Sequence, residues 1–217
     1  MKCMTLVLLI AIHSFATGQK QYPPRDESGK DKALSSFAAQ LKLVIKNKDG
    51  DQLVKMISPA IQNGFGDDSG VENFKKFWKP KDKTSELWKI LTRMVNLGGV
   101  FMGEDKSSFV YPYIFTLDGN ELSDPFSMML VTGTNVNVRE KPDLKAKVIT
   151  MLSYVPVEIN YEKSIPPENP QWYFITTPDK KISGFMFGDF LYSPIGYRMF
   201  LTKQNGKWLI TSLVAGD

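Results

Sequence analysis

Apolar residues return every three or four positions from Leu34 to Ile45. Leu34, Phe37, Ala38, Leu41, Val44 and Ile45 form one stripe, which predicts an amphipathic helix with Asp31 as its cap. Asp49-Gly-Asp51 interrupts the stripe and starts a shorter helical segment carrying Leu53, Val54, Met56 and Ile57, with Pro59 near its end. Residues 63–70 are turn-rich. Asp68 or Ser69 can cap a third helix bearing Val71, Phe74, Phe77 and Trp78, which Pro80 stops. Thr84 or Ser85 caps a fourth, with Leu87, Trp88, Leu91, Met94 and Val95, and Gly98-Gly99 supplies the left-handed conformation that ends it.

From Val100 onward the period changes towards two. Phe109-Val-Tyr-Pro-Tyr-Ile-Phe115 is β-branched and aromatic, and Pro112 restricts it to an edge or a bulge. Asp118-Gly119 reads as a turn. In Val131-Thr-Gly-Thr-Asn-Val-Asn-Val-Arg-Glu-Lys-Pro142, Val136 and Val138 take one face of a strand, and Asn135, Asn137 and Arg139 take the other. The apolar segments 148–152, 155–159, 172–176 and 184–191 follow. At the C-terminus, residues 197–214 predict a hairpin around Asn205-Gly206, pairing Thr202 with Leu209 and Leu201 with Ile210.

The run Val136-Asn-Val-Arg139 with Lys141-Pro142, followed by Gly184-Phe-Met-Phe187 and Phe190-Leu191, resembles the bacterial SH3 (SH3b) family. The match covers roughly a third of the chain. Two departures are Ser153-Tyr154, where the family commonly has a Lys-Gly-like pair, and the long proline-bearing loop 163–171. The resemblance implies an SH3-like β-barrel over 128–192 and a binding module rather than a catalyst. Tyr154, Tyr161, Trp172, Tyr173 and Phe187 are the aromatic residues that could line a shallow groove, stacking on sugars or peptide side chains. For Trp172 and Phe187 the favoured reading is barrel core, and Tyr154 and Tyr161 are the better candidates for exposed contacts. Arg139 could bind a ligand carboxylate or pair with Glu140 or Asp143.

The expected architecture is therefore α+β: an N-terminal helical subdomain of about four helices, an SH3-like β-barrel and a C-terminal β-hairpin. The expected boundaries are a signal peptide at 1–18, a flexible leader at 19–30, the helical subdomain at 31–99 and connecting strands and turns at 100–127. The barrel takes 128–192, and a hairpin packed on the rest takes 193–217.

Composition narrows the chemistry. Lys2, the apolar run from Met4 to Ile12, and Ala16 and Gly18 before Gln19 have the form of an export signal, too short for a membrane span. Cys3 and His13, the one cysteine and the one histidine, both lie in that segment. A chain starting at Gln19 would lack imidazole and thiol, and with them Ser-His and Cys-His nucleophile pairs and His/Cys zinc sites. Export without a disulfide points to a bacterial envelope. The formal net charge is +4, in scattered clusters such as Lys79 to Lys83 and Lys141 to Lys147, which read first as solvated loops and second as a polyanion-binding surface.

Two acidic stretches invite a calcium test. Asn47-Lys-Asp-Gly-Asp51 has its glycine misplaced for an EF-hand and Ser58 where the bidentate Glu belongs. Asp67-Asp68-Ser69 is explained by helix capping. No metal site or cofactor is expected. Carboxylate-only catalysis would draw on residues such as Glu72 and Glu86, which fall in first turns of expected helices, where the dipole favours the anion and not the protonated form a general acid needs.

The expectation is a non-catalytic exported protein, periplasmic or secreted, that recognises peptidoglycan or another cell-envelope peptide. The alternative is a protein-interaction or scaffolding module for another periplasmic protein, docking through Trp78 and Trp88 or a sheet edge near 109–115. A glycan hydrolase is the third reading. No nucleic acid and no integral membrane span are expected.

Overall fold

The computed structural model describes residues 19–66, 68–117 and 122–216. The expected signal peptide, with Cys3 and His13, lies outside them, as do Asp67 and the Asp118-Gly119 turn. Helix α1 (Lys32–Asn47) starts where the stripe begins: Asp31 accepts from the Leu34 backbone N–H, and the αL residue Lys48 ends the helix. Asp49 caps the one-and-a-half-turn α2 (Gly50–Lys55) through the Gln52 N–H. Helix α3 (Val71–Trp78) follows Gly70 with no side-chain cap, so neither Asp68 nor Ser69 performs that role. Ser85 caps α4 (Glu86–Leu97), which stops at Gly98 with φ +82°.

Between α2 and α3 the sequence forms a strand, β1 (Ile57–Gln62), where the apolar spacing predicts helix. Pro59 explains the switch. It lacks the N–H a helix needs, yet fits an edge strand, and β1 is an edge. Its partner is β12 (Lys207–Val214), the last strand of the chain, and the pairing is parallel. The first sheet has the order β1-β12-β11-β3-β2, with β11 (Arg198–Gln204), β3 (Ser108–Tyr111) and β2 (Val100–Met102). The hairpin forms in the predicted register, Leu201 opposite Ile210 and Thr202 opposite Leu209, around Asn205 and Gly206 at φ 49° and 79°. It is no appendage: it is the middle of this sheet. Strand β3 is also interior, and Pro112 begins the turn after it.

The second sheet has the order β10-β4-β7-β8-β9-β5-β6. Its strands are β4 (Met128–Val131), β5 (Val136–Arg139), β6 (Val148–Leu152), β7 (Pro156–Ile165), β8 (Trp172–Thr176), β9 (Ser183–Phe187) and β10 (Leu191–Tyr192). All its pairings are antiparallel. Its end strands β10 and β6 are not paired with one another, so the sheet stays open. This corrects the expected architecture. An SH3-like barrel requires closure, and a helical subdomain at 31–99 requires a core of its own. Instead the helices pack with the first sheet, whose strands come from both ends of the chain, around Leu34, Leu41, Phe74, Leu91, Met94 and Phe109.

The two sheets are joined through β4, buried on both faces. Met128 and Leu130 enter the core of the first sheet, while Met129 and Val131 enter that of the second with Val138, Val157, Ile175 and Met186. Strand β10 repeats the device with Tyr192 and Leu191. Arg93 of α4 fastens the joint. Its Nη2 donates to the carbonyls of Gly188 and Asp189 at 3.2 Å, and to that of Leu191, and its guanidinium lies 4.9 Å from the centre of the Tyr192 ring. The segment expected as a flexible leader, 19–30, runs along this seam. Tyr22 N–H donates to the Tyr154 carbonyl (2.7 Å), Tyr113 hydroxyl donates to the Tyr22 carbonyl, and Glu27 N–H donates to the Gly99 carbonyl (2.8 Å).

Arg93→Ala removes a donor that three carbonyls share and is expected to cost about 2 kcal/mol, measured by urea denaturation. Arg93→Lys should restore less than half, because a shorter, strongly hydrated ammonium lacks the planar guanidinium that lies over the Tyr192 ring. A second expectation concerns Asp31. The Leu34 N–H, then Lys203 at 3.3 Å and Trp208 at 3.4 Å, hold its carboxyl below the usual range against some desolvation. A lowered pKa stabilises the fold above the ordinary carboxyl pKa and is lost as pH falls through the folded value. Asp31→Ala should cost about 1 kcal/mol at neutral pH. That difference should shrink as acid unfolding is followed below about pH 4.

Candidate binding site

The aromatic residues singled out in the sequence do not form one groove. Trp172 on β8 stands opposite Phe187 on β9, with ring centres 5.3 Å apart and an angle of 70°. Next to them Phe174 stands opposite Phe185, at 5.2 Å and 81°. Period two puts these four rings on the face opposite the core, because Ile175, next to Phe174, and Met186, between Phe185 and Phe187, are fully buried. All four are half-buried, in edge-to-face pairs of the kind aromatic quadrupoles favour.

Cations flank the rings. Arg139 on β5 pairs with Phe185, and its Nη1 donates to the Ala146 carbonyl at 2.7 Å, which leaves other guanidinium donors for a ligand. Among the described residues it forms no ion pair with Glu140 or Asp143. On the far side, Lys163 Nζ lies 5.0 Å from the centre of the Phe174 ring. Ser164, fully buried, holds that segment down: its hydroxyl donates to the Asn160 carbonyl and accepts from the Phe174 N–H. The face therefore runs across β7, β8, β9 and β5, about 14 Å at ordinary strand spacing.

Tyr173 and Tyr161 lie on the opposite face, their ring centres 6.3 Å apart. Tyr161 is 41% exposed and its hydroxyl donates to the Phe126 carbonyl at 3.3 Å. Burial raises the pKa of both tyrosines, with Arg93 opposing the rise at Tyr173. Tyr173 faces the seam, lining a cleft of about 230 Å³ with Ile90, Arg93, Tyr192, Ser193 and Tyr197. Tyr154 has φ 53° in the turn between β6 and β7. Its carbonyl receives Tyr22 and its hydroxyl accepts from Thr134 at 3.0 Å, so it serves the seam.

Of the six expected site residues, Trp172, Phe187 and Arg139 share the face, and Tyr154, Tyr161 and Tyr173 do not. Phe174, Phe185 and Lys163 were missed. Alternation along Trp172-Tyr-Phe174 and Phe185-Met-Phe187 carried the signal for the two phenylalanines; nothing local carried it for Lys163, which reaches the rings through the irregular end of β7.

The docking residues of the alternative reading are also displaced. Trp78 and Trp88 are 5% and 2% exposed, and Phe109 is fully buried in an interior strand. None can meet a partner, because each is already inside the first core. As for carboxylates, Glu72 pairs with Lys75 at 2.7 Å, and Glu86 lines a shallow 510 Å³ cleft with Lys48, Lys89 and Arg93. The carboxyl groups with a displaced pKa, Asp26, Asp31 and Asp82 among them, are shifted downward, away from what a general acid needs. Asp49 caps α2 and Asp51 pairs with Lys81 at 2.9 Å. Among the described residues, no group of three or more His, Cys, Asp or Glu could hold a metal ion, and no helix is long and apolar enough to cross a membrane.

No known family model matches the chain, and no curated protein matches it. Two solved structures are similar at a distance. A chain named Rd1NTF2_05, carrying five substitutions, is 13% identical, with 84% of this chain and 95% of that one covered and a TM-score of 0.28. A Xanthomonas campestris chain assigned as a calcium/calmodulin dependent protein kinase II association domain is 8% identical, with 90% and 96% covered and a TM-score of 0.33. At such TM-scores neither likeness carries an argument about this chain's fold or function.

Proposed function

We propose that this chain is a non-catalytic, exported binding protein. It recognises a cell-envelope ligand of the peptidoglycan type on the outer face of the second sheet. The observation that carries this reading is the pair of cross-strand ring pairs, Trp172–Phe187 and Phe174–Phe185, set between Arg139 and Lys163. Aromatic faces stack on the apolar faces of sugar rings, and cations at the rim suit the carboxylates of a peptide stem. The resemblance of Val136–Arg139 and Gly184–Phe187 to SH3b segments supports a wall ligand, and the apolar run ahead of Gln19 supports export. A shallow face of this kind binds with micromolar affinity or weaker.

Retention of the purified protein on insoluble peptidoglycan sacculi, with salt titrated, tests the reading. Retention is expected to survive moderate salt, since ring stacking is not screened. Trp172→Ala and Phe187→Ala should each weaken it by about tenfold with the fold intact by circular dichroism. Tyr154→Ala, away from the face, should leave retention per folded molecule unchanged. No retention, or retention indifferent to Trp172 and Phe187, sinks the proposal.

A further inference from the structure

We propose that β6 is a docking edge that takes an extended acidic segment of a partner protein as an eighth strand of the second sheet. The four sheet ends differ in how they are guarded. In the first sheet β1 carries Pro59 and β2 has three residues. In the second, β10 is held against α4 through Arg93. Strand β6, Val148-Ile-Thr-Met-Leu152, has no proline and pairs with β5 alone; no described element pairs with its other side.

Its side chains are not those of a guarded edge either. Val148 is 39% exposed, Ile149 48% and Met151 39%, and Leu144 just before the strand is 72% exposed. Unpaired N–H and C=O groups beside apolar side chains are what strand addition uses: the main chain supplies affinity and the alternate side chains supply choice.

Charge decides the occupant. The approach to β6 carries Lys141, Lys145 and Lys147, none with an ion-pair partner among the described residues, against Glu140 and Asp143. Asp143 is engaged locally, accepting from the Lys145 backbone N–H at 2.7 Å. Parallel pairing with a second copy would bring two net-positive runs together, which like charges oppose, and antiparallel pairing would leave the lysines of each copy beyond the other strand with no acidic partner. A strand bearing Asp or Glu at alternate positions meets those lysines favourably and lays its apolar side chains on Val148 and Met151.

The probes are two fluorescent peptides, Val-Glu-Val-Glu-Val-Glu-Val and its lysine counterpart, titrated against the purified protein by anisotropy. The glutamate peptide is expected to bind at least tenfold tighter than the lysine one and to slow amide exchange in 148–152. Lys145→Glu with Lys147→Glu should weaken it by about tenfold, and Met151→Asp, which removes the apolar contact and adds a like charge, should weaken it as well, each with an unchanged melting temperature. Trp172→Ala should leave it bound, which separates this site from the ring face. Equal affinity for both peptides, indifference to the lysine reversal, or protection elsewhere overturns the proposal. So does self-association in sedimentation that Met151→Lys abolishes, which would give the edge to a second copy.

Discussion

Burial of β4 on both faces is the constraint on which the rest of the molecule depends. Four consecutive residues, Met128 to Val131, are all buried, and alternation sends two into each core. A strand apolar on both sides can exist only between two packed layers. Its position obliges the second sheet to lie against the first, and α4 to sit where Arg93 reaches the carbonyls after β9. The methionines suit this place, since unbranched side chains fill the irregular space where two sheets meet.

The joint also explains which aromatic residues stay half-open on the outer face of the second sheet. Tyr154, Tyr173 and Tyr192 are drawn to the seam, where hydroxyls find carbonyls and hydroxyl partners and burial raises the pKa of Tyr173 and Tyr192. The rings of Trp172, Phe174, Phe185 and Phe187 point away from both cores. Three of those four have no polar group that needs a partner, and they remain half-open to solvent.

Electrostatics contributes locally. The carboxylates at helix starts and turns are held ionised by local donors, the Leu34 N–H at Asp31 and the Thr84 hydroxyl and N–H at Asp82, and serve the fold. Exposed pairs such as Glu72–Lys75 and Asp51–Lys81 add little. Arg93 is different: it is desolvated, which lowers its pKa, and its partners are neutral carbonyls, so its geometry is held by shape and hydrogen bonding more than by charge.

Much of the secondary structure was legible in the residues alone. The stripe of α1, the Asp31 and Ser85 caps and the register of the hairpin around Asn205-Gly206 are local facts, set by side chains within a few positions of one another. The ring pairs were half-legible, since alternation places Trp172 with Phe174 and Phe185 with Phe187, but strand order must bring β8 beside β9. Nothing local could show that β1 pairs in parallel with β12, some 150 residues on, or that the C-terminal hairpin becomes the centre of the first sheet. Nor could it show that Trp78 and Trp88 are consumed by the core. An amphipathic stripe states which face will be buried, but what buries it, and whether a sheet closes or stays open, is decided by contacts distant in sequence.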